Sequence, residues 1–273
     1  MDSCIKKGKY KAVFSDIDGT LLNTSHKIPE KTREKIRKMN KKGYPFVLVS
    51  ARMPKGMTAI RDELGKNNPM ICYSGALVVD GNGDSIYSVA LKKEEAMDLR
   101  KFIQQKAADV SVNIYSKDCW MAEDLKEFWV DQEMKITGVR AEEVSFDDES
   151  IYEEVHKILC MGPAEQISSL EKLLVENFPG IRIYKSKDTY LEVMSMDASK
   201  SSAVGMLGEK FGIKREEILA FGDGQNDIDM IQYAGTGVAM KNASDKVKHA
   251  ADIVTDHNDN EGLRKILDLA FDV

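Results

Sequence analysis

Long apolar runs are the first thing this sequence lacks. The longest, such as Phe46–Val49, are far too short to cross a bilayer. The amino terminus, MDSCIKKGKYKAVFSD, has lysines but no apolar segment behind them, which argues against a secretory leader. Cysteine is scarce. Cys4, Cys72, Cys119 and Cys160 are scattered and form no CxxC pair, so disulfide-framework and zinc-finger spacings are both absent and a reducing cytosol is the expected setting. Excess positive charge is missing too. With a formal net charge of −6 and basic pairs such as Lys6-Lys7 and Lys41-Lys42 interleaved with acids, nothing electrostatic favours nucleic acid or an anionic membrane as a partner. No Walker A motif occurs, and Gly222-Asp223-Gly224 is no dinucleotide fingerprint, because Asp227 stands where the third glycine belongs. The four histidines (His26, His156, His249, His257) show no metal-like pairing and are expected at the surface or in caps.

What is present is ordinary globular material: 273 residues, 42% hydrophobic and 31% charged, enough for one large domain or two. Tyr10–Ser15 reads as a short buried strand ending at Asp16. Pro29 opens a helical pattern with Ile36 and Met39 on one face, stopped by Gly43. Pro45–Ser50 is a second strand, residues 54–65 a helix, and Met70–Tyr73 a third strand. Strands alternating with helices require crossover connections and a parallel sheet covered on both faces. Ligands of such sheets bind beyond the carboxyl ends of the strands, where Asp16 and Ser50 fall.

Around residue 76 the pattern changes. Short apolar runs flank Asp80-Gly81-Asn82-Gly83-Asp84, a strong hairpin signal. Helices over 92–107, 124–134 and 164–177, a strand near 155–160 and a hairpin over 181–194 follow, an α+β mixture. Alternation resumes with helix 200–211, strand Ile218–Phe221, helix 225–232, strand Gly237–Met240 and a strand over Asp252–Val254. The expectation is a three-layer α/β core of residues 1–82 and 196–273, interrupted by an inserted α+β domain over 83–195. Trp120 and Trp129 fall in the insert and are expected to pack its core, as the fourteen methionines are expected to fill cores generally.

The chemistry gathers in the loops after strands. In Asp16-Ile17-Asp18-Gly19-Thr20 two carboxylates sit one residue apart, with Gly19 freeing the backbone to bring both near one point. An EF-hand is excluded, because its glycine belongs at the sixth loop position and here it is fourth. Turn chemistry alone is the bland alternative. Phe221-Gly222-Asp223-Gly224-Gln225-Asn226-Asp227 follows another apolar strand and offers two carboxylates and an amide oxygen, hard donors suited to Mg²⁺. Asp223 is the stronger metal candidate, and Asp227 serves equally well as a cap for the next helix. Acidic groups brought together need compensation, from a divalent cation and a lysine such as Lys200. Ser50-Ala51-Arg52 adds a hydroxyl, backbone N–H groups and a guanidinium, a set able to grip phosphate oxygens.

In order and spacing these motifs resemble the haloacid dehalogenase superfamily, in particular its Cof-type phosphatases with an inserted α/β cap. The matching pieces are Asp16–Leu22, Ser50-Ala51-Arg52, Ser199-Lys200, Gly222–Asp227, Gly237–Ala243 and Ala251–Thr255, spanning nearly the whole chain. The resemblance implies that Asp16 attacks phosphorus to form an aspartyl-phosphate and that Asp18 protonates the leaving oxygen, then activates water. It implies that Ser50, Ala51, Arg52, Lys200, Asn226 and Asn242 contact the phosphoryl group or substrate. Mg²⁺ would be held by Asp16, the backbone carbonyl of Asp18, Asp223 and Asp227. Three positions depart from the family pattern: Ala51 and Lys241 stand where glycine is usual, and Ser74 where asparagine is usual. The reading is a Mg²⁺-dependent phosphatase of a small phosphorylated metabolite, with sugar phosphates as a family-level expectation. Two alternatives stay open, a phosphomutase and a regulator that binds a phosphorylated ligand without turning it over. Receiver domains share the acceptor Asp and Lys but are about half this length and carry no insert.

Overall fold

A computed structural model of the chain describes residues 5–65 and 67–273, so Cys4 lies outside the described residues. Contacts divide the chain into two compact units. The first comprises residues 5–52, Met57–Tyr87 and Ser199–Val273; the second comprises Met53–Gly56 and Ser88–Ala198.

In chain order the first unit begins with β1 (Ala12–Asp16), α1 (Glu30–Lys41), β2 (Phe46–Val49), α2 (Lys55–Leu64), β3 (Met70–Cys72), β4 (Leu77–Val79) and β5 (Ser85–Ser88). All residues of β1 to β4 are buried, as expected where both sheet faces are covered. The turn after Asp80 is held by its own side chain, whose Oδ1 accepts from the Asn82 and Asp84 N–H groups at 2.8 and 3.0 Å.

The second unit supplies α3 (Lys93–Lys106), β6 (Ser111–Ser116), β7 (Cys119–Ala122), α4 (Phe128–Thr137), β8 (Glu142–Glu143), β9 (Lys157–Met161), α5 (Ala164–Asn177), β10 (Ile181–Lys187) and β11 (Tyr190–Ser195). Its six-stranded sheet runs β10-β11-β9-β6-β7-β8, antiparallel except for the β7–β8 pair. One face carries the apolar core, where Ile114, Ile158, Cys160, Leu191 and Val193 meet Leu99 and Ile103 of α3 and Ile167, Leu170 and Leu174 of α5. The helix expected over 124–134 is shifted to Phe128–Thr137. Glu127 is the reason: its carboxylate accepts from the Trp129 and Val130 N–H groups at 3.1 Å and so defines the first turn. His156, expected at the surface or in a cap, is instead fully buried.

The chain returns to the first unit with α6 (Lys200–Phe211), β12 (Ile218–Gly222), α7 (Ile228–Tyr233), β13 (Thr236–Ala239), α8 (Asp245–Ala250), β14 (Ile253–Val254) and α9 (Gly262–Ala270). The eight-stranded sheet has the order β14-β13-β12-β1-β2-β3-β4-β5, with β3 and β4 antiparallel and the pairs from β14 to β3 parallel. On one face Phe14, Val47, Val49, Ile71 and Ala220 pack against Val204 and Leu207 of α6 and Met230 of α7. The alternate residues Val13, Leu48 and Leu219 are buried on the other face. The helix expected over 225–232 is two pieces, a tight turn at Gln225–Asp227 and then α7. No described helix is long and apolar enough to cross a membrane.

Candidate active site

Register brings the predicted loops together. Asp16 pairs with Val49 and Ser15 with Phe221, so β1, β2 and β12 end side by side, and the segments 16–20, 50–52 and 223–227 leave the sheet from one edge. The order β12-β1-β2 makes neighbours of residues more than 200 positions apart.

Asp16 closes β1 and is 8% exposed, while Lys200 opens α6 and is 1% exposed. The Lys200 Nζ donates to Asp16 Oδ1 at 2.8 Å and also to Asp227 Oδ1. Asp227 Oδ2 accepts from the backbone N–H groups of Asp223 and Gly224 at 3.0 and 2.8 Å. Asp227 therefore closes the turn before α7 rather than capping that helix with its side chain, and its other oxygen faces the lysine. Asp223 Oδ1 accepts from the Thr20 hydroxyl at 2.7 Å, and its Oδ2 accepts from Asn242 Nδ2 at 3.3 Å. The same Asn242 Nδ2 donates to the Gly19 carbonyl at 2.8 Å.

The turn between the two N-terminal aspartates depends on glycine. Gly19 has φ +78°, and a Cβ there would lie 2.3 Å from Asp223 Oδ2. Asp18 is exposed, and Arg52 grips it bidentately, Nε to Oδ2 at 2.9 Å and Nη2 to Oδ1 at 2.6 Å. Ser50 is buried, its Oγ accepting from the Arg52 N–H at 3.3 Å and its carbonyl from the Ser74 N–H at 2.9 Å. Ala51 lies in that same short loop, and Asn226 sits exposed on the turn before α7. Ser74 itself has φ +49°, a left-handed conformation that asparagine tolerates better than serine. The following Gly75 has φ +103°, and a Cβ there would meet the Ser199 carbonyl at 2.0 Å, so glycine is required where this loop passes the start of α6.

The electrostatics are those of a crowded acidic site. Burial pushes the Asp16 carboxyl well up, Asp227 adding to the push and Lys200 opposing it. Burial likewise raises Asp223 to about 6, against the Thr20 hydrogen bond. Burial pulls Lys200 down, but the attraction of Asp16 and Asp227 overrides it and holds the ammonium above its usual range. One lysine thus faces three carboxylates. Asp16, Asp223 and Asp227 can each bring one oxygen within 4.8 Å of the others. These donors are all hard oxygens, with neither thiolate nor imidazole among them, so the set fits a hard divalent cation.

Thr20, of the Asp-Gly-Thr turn, joins the site by its hydroxyl bond to Asp223, a role its sequence context does not announce. Asn258 and Asp259 lie in the polar run His257-Asn258-Asp259-Asn260, which looks like an ordinary loop.

Comparison with known proteins gives the class to which this parallel sheet, with its acidic, lysine-paired site at the strand ends, belongs. The profile of the haloacid dehalogenase-like hydrolases matches residues 13–267. A Haemophilus influenzae protein classed among phosphatases is 39% identical over 262 residues, covering 96% of this chain and 98% of its own. A haloacid dehalogenase-like hydrolase from Bacteroides thetaiotaomicron superposes with a TM-score of 0.86 at 29% identity, over 95% of this chain and 98% of that one. The sugar phosphatase BT4131 of subclass IIB superposes with a TM-score of 0.78 at 28% identity, over 94% and 98%. The chain belongs to the haloacid dehalogenase-like hydrolases, in their Cof-type phosphatase branch.

Proposed function

We propose that this chain is a Mg²⁺-dependent phosphatase that hydrolyses a small phosphorylated metabolite, sugar phosphates foremost, through an aspartyl-phosphate on Asp16. The supporting observation is the buried Asp16–Lys200–Asp227 arrangement with Asp223 alongside, at the ends of the central strands. In the first step an Asp16 carboxylate oxygen bonds to phosphorus as the ester P–O bond breaks, and Asp18 gives its proton to the leaving oxygen. In the second step Asp18 takes a proton from water, whose oxygen attacks phosphorus and releases phosphate, restoring the Asp16 carboxylate. Splitting the reaction this way lets a weak nucleophile act on an activated acyl phosphate. Bound Mg²⁺, held by Asp16, the Asp18 carbonyl, Asp223 and Asp227, supplies neutralisation of the phosphoryl charge.

Lys200 keeps the nucleophile oriented, and its ammonium offers a positive charge to the incoming phosphoryl oxygens. Arg52, Ser50 and the Ala51 backbone form the remaining grip, with Asn226 at its margin and Asn242 beside Asp223. A phosphate ester and the Asp18 carboxylate are rival anions for the Arg52 guanidinium, so substrate arrival releases Asp18, which takes up a proton from solvent before it acts as the acid. The inserted unit, expected over 83–195, takes the role of the substrate-selecting cap. The sugar-phosphatase relative of subclass IIB supports the substrate class.

The test is phosphate release from a panel of phosphorylated metabolites, with Mg²⁺ or EDTA, for the native chain and Asp16→Asn. Release should require Mg²⁺ and fall by about 10⁴-fold or more in the variant. A folded, Mg²⁺-binding chain that releases phosphate from no substrate would overturn the reading in favour of a mutase or a ligand-binding regulator.

A further inference from the structure

The turn after β14 reaches back to the catalytic loop through a chain of asparagines. Asn258 is buried, 5% exposed, and its Nδ2 donates to the Leu22 carbonyl at 2.8 Å. Its backbone N–H donates to Asn242 Oδ1 at 3.2 Å. Asn242 then spends its amide on the Gly19 carbonyl and Asp223 Oδ2. Beside them Asp259 Oδ1 accepts from both the N–H and the hydroxyl of Thr24, at 2.8 and 2.9 Å. The segment Gly19–Thr24 is therefore tied to Asn242, Asn258 and Asp259, each more than 200 positions later. The turn that makes these ties is itself held. Thr255 Oγ1 donates to the Gly262 carbonyl at 2.8 Å, and the Lys241 N–H donates to the Asp256 carbonyl at 3.3 Å.

Asn242 has two amide hydrogens and one carbonyl oxygen, and all three face partners in this chain. A side chain so committed has no donor left for a phosphate oxygen. Its contacts join the backbone that carries Asp18 to the carboxylate of Asp223. Thr20 fastens the other Asp223 oxygen, so both lone-pair sets of that carboxylate are aimed by neighbours. Such outer partners orient first ligands and typically change affinity or activity by about 10- to 100-fold when removed.

We propose that Asn242 and Asn258 are positioning residues that lock the Asp18–Gly19–Thr20 turn and the Asp223 carboxylate into one geometry, rather than ligands of the phosphate. The proposal rests on the phosphatase reading above for its kinetic arm and on the donor set alone for its binding arm. Asn258 works at one remove, through the Leu22 carbonyl and the Asn242 side chain. Asp259 steadies the same segment from the solvent side.

The experiment uses the full chain, with p-nitrophenyl phosphate as substrate, inorganic phosphate as inhibitor and Mg²⁺ titrated calorimetrically. Asn242→Ala and Asn258→Ala should lower kcat by about 10- to 100-fold and weaken Mg²⁺ binding about 10-fold, with KM and the phosphate inhibition constant changing less than about 3-fold. Asn242→Ser and Asn258→Gln, which each keep a donor, should recover part of both losses and serve where the alanine variants do not fold. A phosphate inhibition constant that rises about 10-fold while Mg²⁺ affinity holds would make Asn242 a phosphate ligand and overturn the proposal. Unchanged kcat and Mg²⁺ affinity in both folded alanine variants would overturn it as well. A native chain that binds Mg²⁺ yet hydrolyses nothing sinks the phosphatase reading alone, and the calorimetric arm still decides the positioning role.

Discussion

The two units bury charge in opposite styles. In the first, the parallel strands end together, and the loops beyond them bring Asp16, Asp223, Asp227 and Lys200 into one cluster whose carboxylates outnumber its cation. In the second, several buried polar side chains are spread along the strands and matched pairwise with neighbours on the sheet or on α4. Lys157 lies 3.8 Å from Glu192 and over the Tyr115 ring at 4.5 Å. Tyr184 donates to Glu192 at 3.1 Å, Tyr190 to Glu133 at 2.6 Å, and Trp120 to Asn113 at 2.9 Å. A network whose donors and acceptors are matched rigidifies a fold. An unbalanced cluster instead stores repulsion that a bound cation can relieve, an arrangement characteristic of functional sites.

Removing the lysine from each unit should separate the two clusters most strongly. Lys200→Met leaves Asp16 and Asp227 buried without their ammonium, and should cost about 3–5 kcal/mol in chemical denaturation without divalent cation. Lys157→Met should cost less, because Glu192 keeps the Tyr184 hydroxyl. Equal losses would show the two clusters to be electrostatically alike.

A somewhat smaller effect concerns His156. Its Nδ1 accepts from the Lys117 N–H at 3.0 Å, which leaves the Nε2 proton to donate to Ser88 Oγ at 3.0 Å, and Ser88 in turn donates to Glu154 at 2.7 Å. Burial lowers its pKa to about 4. Because the folded value lies below the unfolded one, the stability it confers is present above about pH 6.5 and is lost as the pH falls toward 4. The whole effect is about 3 kcal/mol. His156→Gln should flatten the stability–pH curve of the second unit over that window, measured by denaturation at pH 7 and pH 4.5; an unchanged slope would refute the assignment.

In the first unit the sign reverses. Asp223 is raised to about 6, so the cation-free fold favours the protonated carboxyl and loses stability as pH climbs through that value. Under the proposed function, Mg²⁺ would take the place of that proton. Its stabilisation should therefore be greater at pH 8 than at pH 5, by about 1–2 kcal/mol in paired melting curves at fixed Mg²⁺. The smallest effect belongs to Asp18→Asn. The Asp18–Arg52 pair is solvent-exposed, with side chains 47% and 36% accessible. Its loss should change stability by less than about 1 kcal/mol while stopping turnover, as activity and melting measured on one preparation would reveal.

Legibility followed the same division. Asp16, Asp18, Ser50, Arg52 and Asp223 could be picked out because each follows a short apolar strand, and a crossover sheet aims all such loops at one edge. The amphipathic helix Gly262–Ala270 carried a readable signal, Leu263, Ile266, Leu267 and Ala270 at helical spacing, but no Ser, Thr, Asp or Asn stands immediately before it to mark its start. Asn258 offered no signal, because a single asparagine in a polar turn looks alike whether it faces water or the Leu22 carbonyl. The buried position of His156 was equally hidden, since its partners Ser88, Lys117 and Glu154 come from three separate segments.

Local chemistry by itself determined the strand-ending aspartates, the glycine that lets the turn pass Asp223, the hairpin at Asp80 and the alternation that builds a parallel sheet. These depend on backbone conformation and hydrophobic period, which a short window of sequence contains. Tertiary structure alone decided that one lysine would serve Asp16 and Asp227 together, that Asn242 would spend its amide within the chain, and that Asn258 would close the loop from the far end of the sheet. Each of those outcomes depends on strand order and register, and the contacts they set join residues too distant in sequence for any local pattern to encode.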